Sequence, residues 1–161
     1  MANGENVIVT IANPLGYTLS PSNRTAAVYH KLYSIGSTGP SGIGKVFYIK
    51  DGGLHGLEAA PADLTGTYQW KTANTATAGT SIGIGTGFTN TYTCLTTATH
   101  PAAEACRNYR SSFEGDWFLP SQAELYEMYL AAGSVGGFVS NFYWSSSTIT
   151  DVSAVTRNLA T

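Results

Sequence analysis

Residues 114–125 have the sequence EGDWFLPSQAEL, in which a strand-like apolar run, a proline and a helix start follow one another within a dozen residues. Ser121 and Glu124 have the spacing of a capping box. In that motif the serine hydroxyl accepts from the Glu124 N–H, and the Glu124 carboxylate accepts from the Ser121 N–H. This stretch therefore predicts a helix that begins directly after Ser121.

The residues that follow support a helix with one apolar face. Leu125, Met128 and Tyr129 recur at helical spacing, and Gly133 is its expected end. Trp117, just before the helix, has two interpretations. It is either a core aromatic under the helix, which is the commoner role for such a residue, or a platform for a ligand.

The composition indicates a folded, weakly charged domain. The chain has 161 residues, which suits one domain with a sizeable core. Charged residues make up 11% of it, against about 25% in typical domains. Ten Tyr and an aromatic content of 12% argue against disorder. The eight basic residues form no cluster, which argues against nucleic acid as a partner. This balance is typical of a loop-rich extracellular or virion protein.

The N-terminal residues 1–33 form a separate element in this interpretation. Val7–Ile11 is a β-branched run that predicts a strand, and Arg24–Tyr33 is a candidate helix. With too few apolar partners for a core of their own, residues 1–33 are expected to be an arm for oligomerisation. No signal peptide and no membrane helix of roughly 20 apolar residues is predicted.

A glycine-rich segment from Gly39 to Val46 nearly matches the phosphate-binding loop G-x-x-x-x-G-K-[S/T]. Valine occupies the final hydroxyl position, and a strand rather than a helix follows, so phosphate binding is not expected. The segment instead predicts a tight entry into a strand at Val46–Lys50. A turn at Asp51–Gly53 and a returning strand at Leu54–Pro61 complete a hairpin.

A second glycine-rich segment, residues 79–83, matches the hydrolase pattern G-x-S-x-G. That pattern works by exposing the serine on a strand-to-helix turn. Because Gly85 and Gly87 follow, no helix is expected to start there, and the match is interpreted as chance. Further along, a helix is predicted at His100–Tyr109 and an aromatic strand at Phe142–Ser147.

Cys94 and Cys106 bracket a short Thr-rich segment. A pair this close can form a disulfide in an oxidising compartment, and two buried thiols are the alternative. Neither cysteine lies in a C-x-x-C motif or a His-rich cluster, so no zinc site is expected, and no metal-ligating residues are predicted.

Several blocks of the chain resemble the Legionella collagen-like adhesin C-terminal domain family, also called DUF1566. They occur in the order found in that family and cover roughly residues 33–159. The blocks are Gly39-Pro40 with Gly44–Tyr48, then Gly53–Pro61, the cysteine pair, Asp116–Ser121 with Glu124-Leu125, and Phe142–Ser147.

The resemblance implies a C-type-lectin-like α+β fold, with two helices, small antiparallel sheets and long loops, over residues 34–161. Such domains occur in bacterial surface adhesins, in phage tail proteins and among the variable proteins of diversity-generating retroelements. The chain departs from the family pattern at Val155, where an aromatic residue is usual. Family members also run on for some 20 residues into further strands, which here would come from elsewhere, for example a neighbouring subunit.

Three classes of function follow from these observations. The expected one is a non-enzymatic recognition module, an adhesin or a phage receptor-binding protein, that binds a surface glycan or protein and forms a homotrimer. A structural tail or fibre component, or a retroelement-diversified variable protein, is the alternative. An oxidase of the formylglycine-generating type shares the broad fold, but it would need an open pair of cysteines.

The expected binding surface follows Trp144, because loops after the last core tryptophan of such folds carry ligands rather than packing contacts. Its hydroxyl, amide and charged groups offer many hydrogen bonds, and no cofactor is implied. The Gly/Thr-rich loop at residues 72–91 is the next candidate. The predicted ligand-binding residues are Ser145, Ser147, Thr148, Thr150, Asp151, Ser153, Thr156, Arg157 and Asn158.

Overall fold

The structure is a computed structural model in which residues 31–73, 76–109, 116–150 and 153–159 are described. Its contacts divide the chain into two units, Met1–Leu32 and Tyr33–Thr161. The predicted strand at Val7–Ile11 and most of the expected oligomerisation arm lie outside the described residues. Residues 31–33, the expected end of the N-terminal helix, are not helical.

The second unit is an α+β fold, which confirms the predicted class. Its described residues form three helices and two two-stranded antiparallel sheets, where two helices were expected. None of the described helices is long and apolar enough to cross a membrane. In chain order the elements are β1 (Lys45–Lys50), β2 (His55–Ala59), α1 (Gly87–Thr89) continuing as a π-helical turn (Asn90–Cys94), α2 (Pro101–Asn108), α3 (Gln122–Val135), β3 (Phe142–Thr150) and β4 (Ser153–Asn158).

The start of α3 confirms the predicted capping box. The Glu124 N–H donates to the Ser121 hydroxyl at 3.3 Å, and the Ser121 N–H donates to the Glu124 carboxylate at 2.7 Å. The predicted end at Gly133 is wrong. The helix runs on to Val135, which is buried, and stops at Gly136 with φ of 68°. Helices commonly end at a glycine with a left-handed φ, as at Gly136. Gly133 lies within the helix.

The first hairpin also follows the prediction. Strands β1 and β2 pair in antiparallel register from Lys45 opposite Ala59 to Lys50 opposite His55, with an irregularity between Val46 and Tyr48. The predicted turn at Asp51–Gly53 is a 3₁₀ turn. A two-stranded hairpin is marginally stable alone, so its packing against α3 is what holds it in place.

The glycine-rich segment before β1 surrounds a carboxylate of the protein itself. Ser41 donates to Glu58 through its N–H at 3.1 Å and through its hydroxyl at 2.8 Å. A Cβ on Gly39 would collide with the Glu58 carboxylate, and one on Gly44 would lie 2.6 Å from it. These glycines leave room for Glu58, which accounts for a glycine pattern close to that of a phosphate-binding loop.

Two separate hydrophobic clusters support the unit. The first contains Trp70, Leu95 and Leu119 together with alanines of α2, and Ala154 of β4 packs on it. The second contains Phe47, Ala59 and residues of the second half of α3. The described core is thus divided between the hairpin side and the α2 side of the unit.

The element after the second glycine-rich segment corrects the sequence prediction. Helix α1 begins at Gly87, although no helix was expected to start in the segment that contains Gly85 and Gly87. The Gly87 N–H donates to the Glu124 carboxylate at 3.3 Å, and a Cβ at this position would collide with that carboxylate and with Phe118. Glycine is therefore required at this helix start by the close approach of Glu124. No helix begins near Ser81, so the hydrolase interpretation has no support.

Helix α2 begins one residue later than predicted because His100 is its N-cap and has a non-helical backbone, with φ of −126° and ψ of 77°. The His100 ring is buried, and its Nε2 lies 3.1 Å from the Thr77 hydroxyl. Its Nδ1 lies 3.0 Å from the Thr99 hydroxyl. Burial lowers the pKa of His100, and the nearby positive charge of Lys71 acts in the same direction.

This lowered pKa predicts a pH dependence of stability. The folded state resists protonation of His100, so the unfolded state binds more protons once the pH falls below about 6.5. The free energy of unfolding of the wild type should therefore decrease between about pH 7.5 and pH 5.5, measured by urea denaturation. His100→Gln should have a smaller decrease, and His55→Gln, which alters an exposed histidine, should retain the wild-type decrease. Equal slopes for wild type and His100→Gln would contradict the assignment.

Candidate functional site

Glu124 joins the start of α3 to the loop that precedes α1. Its side chain is fully buried. One carboxylate oxygen accepts from the N–H groups of Gly85 at 2.7 Å and Gly87 at 3.3 Å, and the other accepts from Ser121. Burying a carboxylate is costly unless hydrogen bonds replace its water. Three backbone donors supply them, and the glycine-rich loop is fixed to the helix as a result.

Asn90 fixes the same loop from a second side. The buried amide accepts from the Ser81 N–H at 2.8 Å and donates to the Ser81 carbonyl at 2.7 Å. It thus pairs with both backbone groups of one residue, as a neighbouring strand would. Its amide nitrogen also donates to the Ser146 hydroxyl at 3.1 Å, which connects the loop to β3.

The serines of β3 complete this buried polar network and correct part of the predicted site. Ser145, Ser146 and Ser147 are fully buried. The Ser147 hydroxyl accepts from the Gln122 N–H at 2.9 Å and donates to the Ser81 carbonyl at 2.8 Å. The Ser145 hydroxyl bonds within β3, to the backbone of Ser147. Both predicted ligand residues, Ser145 and Ser147, use their hydrogen bonds inside the protein, so the structure removes them from the candidate surface.

Thr148 lies where the buried part of β3 meets the surface. Its hydroxyl lies 2.8 Å from that of Thr80, and its N–H donates to the Thr80 hydroxyl at 3.2 Å. Next to these residues in the chain are exposed isoleucines, with Ile149 72% and Ile82 59% exposed. Ile84 is also exposed. Thr80, Ile82, Ile84, Thr148 and Ile149 together form what we call the loop–hairpin surface.

The other predicted residues are distributed differently. Arg157 places its guanidinium 4.6 Å from the ring centre of Tyr126 and 5.4 Å from that of Tyr129, both on α3, so it holds β4 against that helix. Thr156 and Asn158 are exposed on β4. Thr150 and Ser153 are backbone partners at the end of the β3–β4 hairpin, and Asp151 lies outside the described residues.

Two residues of this site escaped the sequence analysis. Glu124 was recognised only as a helix cap, because its bonds to Gly85 and Gly87 join positions some 40 residues apart. Asn90 gave no signal at all, since its partners become neighbours only in the fold. The exposed isoleucines do lie in, or next to, the two segments that the sequence singled out, residues 72–91 and the strand after Trp144.

The structure contains no disulfide between Cys94 and Cys106, and both are free thiols. The Cys94 thiol donates to the Gly79 carbonyl at 3.2 Å, while Cys106 packs against the cluster around Trp70. Burial raises the pKa of the Cys106 thiol to about 12, although Arg107 partly opposes that shift. The structure thus favours two free thiols, but both are half-buried, whereas the sequence alternative was two buried thiols. Within the described residues, no group of three or more His, Cys, Asp or Glu could hold a metal ion.

Comparison with protein families, with curated proteins and with solved structures finds no match to this chain.

Replacing Glu124 tests the buried polar network. Glu124→Gln loses an acceptor oxygen and turns an amide donor toward backbone donors, so at least one buried N–H is left without a partner. We expect the free energy of unfolding to fall by about 2–3 kcal/mol, measured by urea denaturation. Glu127→Gln, on the same helix and not buried, is the matched control and should change it by less than about 0.5 kcal/mol. A loss of similar size in both variants would contradict the special role of Glu124.

Alkylation tests the state of the cysteines. A thiol of pKa about 12 has a thiolate fraction on the order of 10⁻⁴ at pH 8, so Cys106 should react with iodoacetamide far more slowly than Cys94 in the folded, unreduced protein. In denaturant without reductant, both should be labelled, as read by mass spectrometry. A chain that takes up no label even when denatured would restore the disulfide.

Proposed function

We propose that this protein is a non-enzymatic recognition module whose loop–hairpin surface binds a glycan or protein on a cell surface. One observation carries the proposal: buried hydrogen bonds fix the backbone of the glycine-rich loop and of β3, while Ile82, Ile84 and Ile149 between and beside them stay exposed. Large apolar side chains on a fixed backbone, with no packing role of their own, are typical of a binding surface.

The chemistry of the surface suits a protein or glycan partner better than a charged polymer. Its five residues combine three aliphatic side chains with two hydroxyls and carry no charge. An interface core depleted of charge and rich in apolar groups is common in protein complexes, and hydroxyls add directional hydrogen bonds. The same lack of charge argues against electrostatic capture of an acidic polymer.

The fold proposed for the module is C-type-lectin-like. The capped helix, the first hairpin and the aromatic strand that runs into buried serines occur in the order expected from the resemblance to the collagen-like adhesin family. We further propose that residues 1–33 form a homotrimer and that the protein acts outside the cell or on a virion. A tail or fibre component with no ligand of its own, or a retroelement-diversified variable protein, is the alternative for the same fold.

An enzyme of the cysteine-oxidase type has less support. Its chemistry needs a pair of reactive cysteines, and burial raises the pKa of Cys106 to about 12, so this thiol supplies almost no thiolate at neutral pH.

A binding assay on intact cells tests this proposal. The double variant Ile82→Ala/Ile149→Ala should bind cells or a glycan array at least about tenfold more weakly, because central apolar contacts often contribute more than 1 kcal/mol each. Since both side chains are exposed, the free energy of unfolding should change by less than about 1 kcal/mol. Leu130→Ala, an equally exposed residue on α3, is the control and should bind like wild type.

Pretreatment of the cells separates the two partner classes. Loss of binding after periodate oxidation identifies a glycan, and loss after protease identifies a protein. Wild-type binding by the double variant would overturn the proposed surface, and absence of binding to any cell or glycan would favour the structural component.

A further inference from the structure

A groove with a volume of about 540 Å³ lies on the second unit and shares no residue with the loop–hairpin surface. All five residues of β2 line it, as do the extended segment 116–120 and the start of β3 at residues 142–144. Members of both hydrophobic clusters, Leu119 and Phe47 among them, reach it. Its volume lies within the range of about 300–1,000 Å³ that is usual for ligand-binding cavities.

Strand β2 borders this groove with an unpaired edge. Among the described residues it pairs with β1 alone. The far side of β1 is already occupied at the start of the strand, because Val46 exchanges backbone hydrogen bonds with Gly36 at 2.8 Å and Ser37 at 2.9 Å. Within the described part of the chain the sheet therefore ends at β2, and no described residue pairs with the backbone donors and acceptors on its outer edge. Exposed edges are usually protected by lysine, proline or a bulge. β2 contains neither lysine nor proline, and the irregularity of the hairpin lies on β1, between Val46 and Tyr48.

The rim of the groove carries large apolar side chains that are open to solvent. Phe142 is 68% exposed and Val139 56%, and Leu54, Tyr68 and Trp144 are also exposed. Trp144 is held in place because its ring nitrogen donates to the Tyr68 carbonyl at 2.9 Å. Several exposed apolar side chains that line one groove indicate a contact surface for another molecule.

The charged groups among the described residues of the groove are acidic. They are the carboxylates of Glu58, Asp63 and Asp116, and none of the described lining residues is a lysine or an arginine. Glu58 is bonded to Ser41, and Asp63 accepts from the Tyr143 hydroxyl at 2.9 Å. Asp116 is exposed and is the first residue of segment 116–120. A partner that fills the groove therefore meets apolar walls and acidic groups, and the complementary ligand is apolar with a positive charge.

From these observations we propose that the groove binds an extended peptide segment of a partner protein, which adds as a strand to the edge of β2. Alternate apolar side chains of the segment enter the groove, and a lysine or arginine of the segment lies near Asp116 and Asp63. Backbone hydrogen bonds to β2 supply affinity, and the apolar and acidic walls supply selectivity, as in other complexes formed by strand addition.

Three synthetic peptides test the proposal on the full-length protein. The first is an acetylated and amidated Val-Thr-Val-Thr-Val-Lys, the second has glutamate in place of lysine, and the third is the first with alternate backbone nitrogens methylated. Binding is followed by tryptophan fluorescence, since Trp117 and Trp144 line the groove. We expect saturable binding of the lysine peptide, at least about fivefold weaker binding of the glutamate peptide, and loss of binding on methylation.

Protein variants locate the site. Phe142→Ala and Asp116→Asn should each weaken binding of the lysine peptide about fivefold, and Asp116→Asn should leave a neutral glutamine version of the peptide unaffected. Ile149→Ala, which lies outside the groove, is the control and should bind every peptide like wild type. Because Ile149 belongs to the loop–hairpin surface, failure here is distinguishable from failure of the proposed recognition function.

Several results would overturn the inference. Equal binding of the methylated peptide would exclude strand addition, and equal binding of the glutamate peptide would exclude the charge match. Absence of saturable binding by all three peptides would exclude the proposed occupant. If the protein is an oligomer by light scattering and Phe142→Ala converts it to a monomer without any peptide binding, a second copy of the chain fills the groove instead.

Discussion

A buried carboxylate that is bonded to backbone N–H groups determines how the second half of this fold is put together. Glu124 has no cationic side chain among its hydrogen-bond partners, so its charge is compensated by the amides of Ser121, Gly85 and Gly87. Removing water from such a group costs free energy, and hydrogen bonds from all three donors are needed to offset it. The start of α3 and the loop before α1 therefore depend on each other.

Glu58 in the first hairpin, although only half-buried, has a related role. Its carboxylate accepts from the backbone and hydroxyl of Ser41, and glycines lie where a side chain would collide with it. In a protein with ten acidic residues, two of them thus organise glycine-rich turns rather than the surface. The glycines at positions 39, 44 and 87 are needed for clearance around an oxygen atom, which accounts for patterns that resemble nucleotide-binding or hydrolase motifs without their chemistry.

The parts of the fold that could be predicted are those determined by neighbours in sequence. The capping box and the first hairpin depend on residues a few positions apart, and both were found. The burial of Ser145 and Ser147 depends on Ser81 and Gln122, which the sequence does not place beside β3. The helix start at Gly87 depends likewise on Glu124, and the extension of α3 past Gly133 depends on the packing of Val135 in the core. Hydroxyl groups after an apolar strand resemble a binding surface until their partners are known.

The glycine-rich loop is held mainly by its main chain. The bonds that fix it use the N–H and carbonyl of Ser81, the carbonyls of Ile82 and Gly83, and the N–H of Gly85. Side chains at positions 82 and 84 take no part in them, so they can be exchanged without disturbing the backbone path. Substitutions at these two positions can therefore change which partner is bound without changing how the loop folds. A lineage that altered only these positions could move from one partner to another while the protein stayed folded at every step.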